Sequence, residues 1–88
     1  MQSKNIDFSY FTEEELTIFY RLIGNNVSYY RKLKNMTQQD LALQIGHSSV
    51  GYIAKAELYK YNKHFSLEQL YKISKILDIR VSQLIEKK

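Results

Sequence analysis

The sequence contains no cysteine, no proline and only three glycines in 88 residues. The absence of cysteine excludes disulfide bonds and thiolate metal sites, and it fits a reducing cytoplasm. The absence of proline and the scarcity of glycine favour helices over a turn-rich β fold. No hydrophobic run approaches the length of a membrane span. We therefore expect one small helical domain that lies in the cytoplasm without membrane contact.

Residues that support catalysis or cofactor binding are also scarce. The two histidines, His47 and His64, have no patterned acidic or nucleophilic partner. No residues have the spacing of a metal site, and no glycine-rich phosphate or dinucleotide motif is present. The sequence therefore predicts a protein that is not an enzyme and that uses no cofactor and no metal.

Positive charge is concentrated after residue 22. The net charge is +4, but residues 1–22 hold two basic and four acidic side chains, whereas residues 23–88 hold eleven and five. A cationic surface suits contact with the phosphates of nucleic acid. A basic excess also keeps many small domains soluble, so the charge by itself does not decide between these two interpretations.

Three capping motifs predict where helices begin. In each, a serine or threonine is followed three residues later by an acidic or amide side chain, so each side chain can bind the other residue's backbone N–H. The pairs are Thr12 with Glu15, Thr37 with Asp40, and Ser66 with Gln69. Apolar residues flank each cap as a hydrophobic staple: Phe11 with Leu16, Met36 with Leu41, and Phe65 with Leu70. These motifs predict helices that begin near residues 13, 38 and 67.

Apolar spacing predicts how far the first two helices extend. The first is about 20 residues long, because Leu16, Tyr20 and Ile23 lie on one face that continues beyond Gly24. A left-handed residue at Asn35 is expected to close it. The second helix is expected to stop at Gly46.

The same spacing predicts three further helices. One covers about Ser49 to Leu58, and the next begins at Leu67 and buries that residue in the core. A short fifth helix runs from Val81 to about Glu86 and turns Leu84 and Ile85 inward. The expected fold class is all-α, a compact five-helix domain in residues 13–88 that follows an N-terminal arm of residues 1–12.

Short motifs follow one another in a fixed order between Ile23 and Ile85. They are Ile23-Gly24, Arg31, Thr37-Gln38, Leu41-Ala42, Ile45-Gly46, Tyr52-Ile53, Glu57, Ser66-Leu67, Leu70, Ile73 and Val81. In this order they resemble the helix-turn-helix family of phage repressors and their bacterial relatives, the lambda-repressor-like or XRE (Cro/C1-type) class. The resemblance implies a lambda-repressor-like helix-turn-helix domain with an N-terminally extended first helix.

The resemblance also implies a function. A helix-turn-helix lays its second helix, here the third helix of the chain, in the major groove of double-stranded DNA. We expect a sequence-specific transcriptional regulator, and specifically a repressor, that reads a near-palindromic operator with half-sites about 34 Å apart. A homodimer is expected because one small module covers little DNA surface.

The start of the second helix and the ends of the first and third carry residues to which the family resemblance assigns roles. Gln38 matches a family position that contacts the DNA backbone or a base edge, although it is also simply a good polar residue for a first helical turn. Gln39 is a further DNA contact, or decorates the surface. Arg31 and Glu57 match family positions that pair beneath the motif, so we expect an ion pair that orients the third helix.

The third helix carries the predicted base-reading side chains. Ser48 and Ser49 can meet several base edges, Val50 suits a thymine methyl group, and Lys55 suits guanine or phosphate. For each serine, capping of the helix is an equally good interpretation. These short side chains predict a reader that depends on few direct contacts and on DNA shape.

The loop of residues 59–65 alternates basic and aromatic side chains. We expect Lys60, Asn62 and Lys63 to contact the DNA backbone. The aromatic residues are expected to turn inward, with the first and last of them in the core.

A protein-interaction module on the same fold, such as an antitoxin or a phage protein, is the alternative function. The segment from Phe8 to Phe11 lies outside the family core and precedes an acidic helix start. It is expected to cover the domain's own core, to form the dimer contact or to bind a protein partner. Leu43 occupies a position expected to face solvent and therefore marks a second candidate contact with protein.

Overall fold

A computed structural model describes residues 10–46 and 49–88. The α-helices are α1 (Glu13–Leu33), α2 (Gln38–Ile45), α3 (Val50–Leu58), α4 (Leu67–Leu77) and α5 (Val81–Ile85), and a short 3-10 helix (Lys60–Asn62) follows α3. The described residues contain no strand. The predicted all-α fold with five helices and a long first helix is confirmed. The division into an arm of residues 1–12 and a domain of residues 13–88 stays a prediction, since residues 1–9 lie outside the described residues.

The helices begin where the capping motifs predicted. In the first box, Thr12 Oγ1 accepts the N–H of Glu15 at 3.0 Å, and Glu15 Oε1 accepts the N–H of Thr12 at 2.7 Å. The other two boxes form in the same way. Hydrogen bonds from the backbone and then the side chain of Thr37 hold the pKa of the Asp40 carboxyl below its ordinary value. A negative charge on Asp40 suits the start of α2, where the helix dipole favours it.

The left-handed residue predicted at Asn35 is confirmed, and α2 ends at Gly46 as predicted. Asn35, just beyond α1, has φ 56°, and Gly46 at the end of α2 has φ 87°. Asparagine and glycine tolerate this conformation better than other residues. The turns after α1 and α2 are therefore specified by single residues.

One core unites the five helices. Each helix contributes side chains that are fully buried: Val27, Leu41, Ile53, Ile73, Leu77 and Leu84. The helix α1 packs against α3 and α5, α2 packs against α3 and α4, and α4 packs against α5. Each such side chain contributes about 1.5–3 kcal/mol relative to an exposed one. The core thus holds α2 and α3, the two helices of the predicted motif, against α1 and α4.

Two predictions of burial in α4 and α5 were wrong. Leu67 is 84% exposed, because it is the first residue of α4 and the buried ring of Phe65, just before the cap, fills the core at that end. Ile85 is also exposed: its neighbour Leu84 turns inward, and successive helical residues point about 100° apart. The apolar face of α1 also emerges from the core toward its start, where Leu16 is exposed and the buried residues begin at Ile23.

A buried asparagine fastens α5 to α1. The Asn26 side chain is fully buried, and its Nδ2 donates to the carbonyls of Leu84 at 3.0 Å and Glu86 at 2.9 Å. Its Oδ1 accepts from Lys88 Nζ at 2.9 Å. These bonds satisfy carbonyls at the end of a five-residue helix that is too short to be stable by itself.

Candidate DNA-binding surface

Three side chains tie the predicted motif to α1. The Nε of Arg31 donates to Glu57 Oε2 at 2.7 Å, and its Nη2 donates to Glu57 Oε1 at 3.0 Å. The Nε2 of Gln38 donates to the same Oε1 at 2.9 Å. Arg31 and Glu57 are buried, and the third arginine nitrogen, Nη1, donates to the carbonyl of Met36 at 2.8 Å. This tie joins the end of α1, the start of α2 and the end of α3, so the two helices of the motif are held in one orientation.

The placement of Gln38 adds a role that the sequence did not predict. The side chain is half-buried, and its amide nitrogen is bound to Glu57. A DNA contact by Gln38 stays a prediction and would use the rest of the amide. Gln39 is exposed in the first turn of α2, and its predicted contact is likewise untested.

The start of α3 is partly described. Ser49 is the N-cap, and its Oγ accepts the N–H of Tyr52 at 3.0 Å, so the capping interpretation describes this serine in the DNA-free protein. Val50 and Lys55 are exposed. His47 and Ser48 lie outside the described residues, so the predicted contacts of Ser48 stay predictions. Base contacts by Ser49 and Val50 stay predictions.

The loop after α3 is anchored at both ends on the ring of Tyr20 in α1. The ring of Tyr59 stacks on Tyr20 with centroids 5.2 Å apart, and the ring of His64 stacks on it at 4.2 Å. Phe65 is buried, as expected. Between these anchors the three predicted phosphate contacts are exposed: Lys60, Asn62 and Lys63.

Tyr61 departs from the expected inward orientation. Its side chain is 72% exposed, and its backbone is left-handed, with φ 54° and ψ 36°. The Nζ of Lys55 lies 5.9 Å from the ring centroid, and the Nζ of Lys60 lies 5.5 Å from it. The structure thus places Lys55 and Lys60, two predicted DNA contacts, beside the ring of Tyr61. The alternation of basic and aromatic residues was the available signal, but it could not show which ring would face outward.

Neither a metal site nor a membrane-spanning segment is found in residues 10–46 and 49–88. These residues contain no group of three or more histidine, aspartate or glutamate side chains that could hold a metal ion. No helix among them is both long and apolar enough to cross a bilayer.

Comparison with known proteins places this architecture in a family. The model of a family described as helix-turn-helix matches residues 27–84, the part of the chain that carries α2, α3 and their tie to α1. The chain belongs to the Cro/C1-type helix-turn-helix family. It is also 38% identical over 60 residues to a protein of Methanocaldococcus jannaschii named as an uncharacterized HTH-type transcriptional regulator. That match covers 68% of this chain and 86% of the relative. The family and this likeness support a DNA-binding transcription regulator.

Proposed function

We propose that the protein is a sequence-specific transcriptional repressor that reads a near-palindromic operator in double-stranded DNA as a homodimer. The observation that carries the proposal is the tie of Arg31, Gln38 and Glu57. Because this tie holds α2 and α3 together against α1, α3 can enter the major groove as part of a rigid unit.

The proposed contacts divide along α3. At its start, Ser48, Ser49 and Val50 meet base edges, with Gln39 close to the backbone at the start of α2. Helix α3 has nine residues and is therefore about 13 Å long. Its other end leads into the exposed, cationic loop, where Lys60, Asn62 and Lys63 bind phosphates. Short base-contacting side chains at the start of α3 and phosphate contacts after its end favour recognition that combines few base contacts with DNA shape.

The size of the module supports the proposed homodimer. A single small DNA-binding module buries about 600–1,000 Å² of protein surface, at the low end of specific complexes. Two copies on half-sites about 34 Å apart double that contact and place both reading helices on one side of the duplex.

A protein-interaction module is the second candidate, and exposed apolar side chains favour it. A groove of about 270 Å³ runs between α1, the start of α4 and the end of α5, and the exposed side chains of Phe19, Leu67 and Ile85 line it. Leu43 on α2 is also exposed, as the sequence predicted. A partner bound through the N-terminal arm or these surfaces would act with DNA binding or in place of it.

Fluorescence anisotropy with two duplexes tests the proposed function. One duplex is the DNA upstream of the protein's own gene, and the other is a scrambled duplex of equal length, each at two salt concentrations. We expect about 10³-fold preference for the native DNA and a steep loss of affinity as salt rises. Equal affinity for both duplexes would contradict specificity for this upstream region. The absence of binding to either at low salt would contradict DNA binding and direct the search to a protein partner.

A further inference from the structure

The loop between α3 and α4 holds three non-glycine residues in the left-handed conformation. Tyr59, Tyr61 and Asn62 have φ values of 54°, 54° and 60°. This conformation is disfavoured for tyrosine, because the β carbon comes close to the following carbonyl oxygen. Several such residues in one short loop persist when the surrounding contacts determine the backbone, and they often accompany a functional role.

Contacts on both sides of Tyr61 determine this backbone. Before it, Tyr59 caps α3 and stacks on Tyr20. After it, His64 stacks on the same ring, and its Nδ1–H donates to the carbonyl of Asn62 at 3.1 Å. The N–H of Lys63 donates to the carbonyl of Lys60 at 3.0 Å and closes the turn itself. Tyr61 is therefore presented outward from a turn with both ends attached to α1.

The outward ring lies beside two cations from different elements. Lys55 belongs to α3 and Lys60 to the 3-10 helix, and both ammonium groups lie within 6 Å of the centroid of Tyr61. At this range an ammonium group is attracted to the negative face of an aromatic ring. Within the part of the chain that the structure describes, neither lysine forms an ion pair. Two unneutralised positive charges therefore meet at one exposed phenol, and the phosphates of a DNA backbone would neutralise them.

We infer that Lys55, Lys60 and Tyr61 form one phosphate-binding site for the DNA backbone, in which Tyr61 is the positioning residue. The inference rests on the proposed function and changes one of its parts. Lys55 lies on the reading helix, but its ammonium group is turned toward the loop, so it binds the sugar-phosphate backbone instead of a base edge. Contacts of this kind contribute affinity without sequence information.

Salt titrations of variants on both duplexes test the inference. Lys55→Ala and Lys60→Ala are each expected to weaken binding to the native and the scrambled duplex by the same factor. Each should also reduce the slope of log K against log salt by about 1. Tyr61→Ala should weaken both duplexes about two- to five-fold, which corresponds to the loss of an exposed cation–π contact. Tyr61→Phe keeps the ring face and should bind like the wild type.

A second lysine–tyrosine pair supplies the matched control. On α4, which is not one of the two helices of the predicted motif, the Nζ of Lys75 lies 5.4 Å from the ring centroid of Tyr71. Lys75→Ala and Tyr71→Ala should leave the affinity within about two-fold of the wild type. Circular dichroism melting of every variant separates a loss of binding from a loss of fold.

The outcomes separate this inference from the proposed function. Weaker binding of Lys55→Ala to the native duplex alone would overturn the inference, because Lys55 would then read a base. Unchanged affinity of Tyr61→Ala, or equal losses in the α4 controls, would also overturn the inference. The proposed function would still stand in these cases, provided that the wild-type protein binds the native duplex specifically. If the wild type binds neither duplex at low salt, both fail together. The Lys60→Ala and Tyr61→Ala losses can be measured on the scrambled duplex alone, since a backbone contact does not depend on sequence, whereas Lys55→Ala requires both duplexes.

Discussion

At the scale of single residues, Gly24 shows how one missing side chain sets a distance between helices. It lies in the middle of α1 and faces the end of α3, where a β carbon would come within 2.7 Å of the Ala56 carbonyl oxygen and still nearer that of Glu57. Real β carbons do not approach backbone oxygens so closely. The close approach also keeps Arg31, two turns further along α1, within reach of Glu57.

Gly24→Ala should therefore destabilise the protein by about 1–3 kcal/mol or more, because the α1–α3 contact must open to admit the methyl group. The free energy of unfolding, from urea titration, measures the effect. Gly51→Ala is the matched control: its β carbon would meet only Ser49 Oγ, at an ordinary 3.8 Å. Because Gly51 is helical, its replacement by alanine should raise the free energy of unfolding by about 0.5–1 kcal/mol. Equal effects of the two substitutions would show that the helices are not in close contact at Gly24.

At the scale of elements, a single buried carboxylate joins α1, α2 and α3. Glu57 at the end of α3 accepts from Arg31 on α1 and from Gln38 on α2. Desolvation of a buried ion pair offsets much of its attraction, so such a pair contributes more to geometry than to stability. Removing one partner is different, since the other charge is left buried and unpaired.

Arg31→Ala is expected to cost about 3–5 kcal/mol of stability. Lys32→Ala, at the exposed neighbouring position of α1, should stay within about 0.5 kcal/mol of the wild type. The double variant Arg31→Met with Glu57→Leu removes both charges and should recover most of the stability, yet it still lacks the tie to Gln38. We expect this folded variant to bind DNA more weakly in anisotropy titrations. Normal DNA affinity in a folded variant without Arg31 would contradict an orienting role for the tie.

At the scale of the whole molecule, the protein is longest in one direction, with principal extents of 49, 26 and 21 Å. The buried residues of α1 begin at Ile23, and Leu16 and Ile18 in its first turns are exposed, as is Phe11 just before the helix. Exposed apolar side chains of this kind are costly on an isolated small domain and are typical of contact surfaces. The proposed homodimer and the protein partner are both consistent with this shape.

For the homodimer, we expect two chains on each operator, measured by sedimentation of the protein–DNA complex. The spacing of the half-sites provides the sharper measurement. An insertion of about 5 base pairs between them turns one half-site to the far side of the duplex, and affinity should fall roughly 100-fold or more. An insertion of about 10 base pairs restores the facing but doubles the separation of the half-sites to about 68 Å, so a rigid dimer should not regain full affinity there either. Equal affinity for both insertions and the parent site would contradict binding as one rigid dimer.

The sequence by itself determined where most of the helices begin and end, because the contacts that set these positions join residues three or four positions apart. The boxes begun by Thr12, Thr37 and Ser66 set the starts of α1, α2 and α4, and Asn35 and Gly46 close two helices by their own backbone preferences. The ordered motifs were also sufficient to predict the family.

Only the tertiary structure decided how residues far apart in the sequence meet. Gln38 reaches Glu57, and Gly24 admits the end of α3, because packing of the helices brings them together. Leu67 is exposed because Phe65 fills the core first, and Tyr61 faces outward because Tyr59 and His64 share the ring of Tyr20. Local hydrogen bonds and backbone preferences can be predicted from neighbours in the sequence. The direction of an apolar or aromatic side chain depends on which competitor occupies the limited space of the core, and that competition is resolved only in the folded chain.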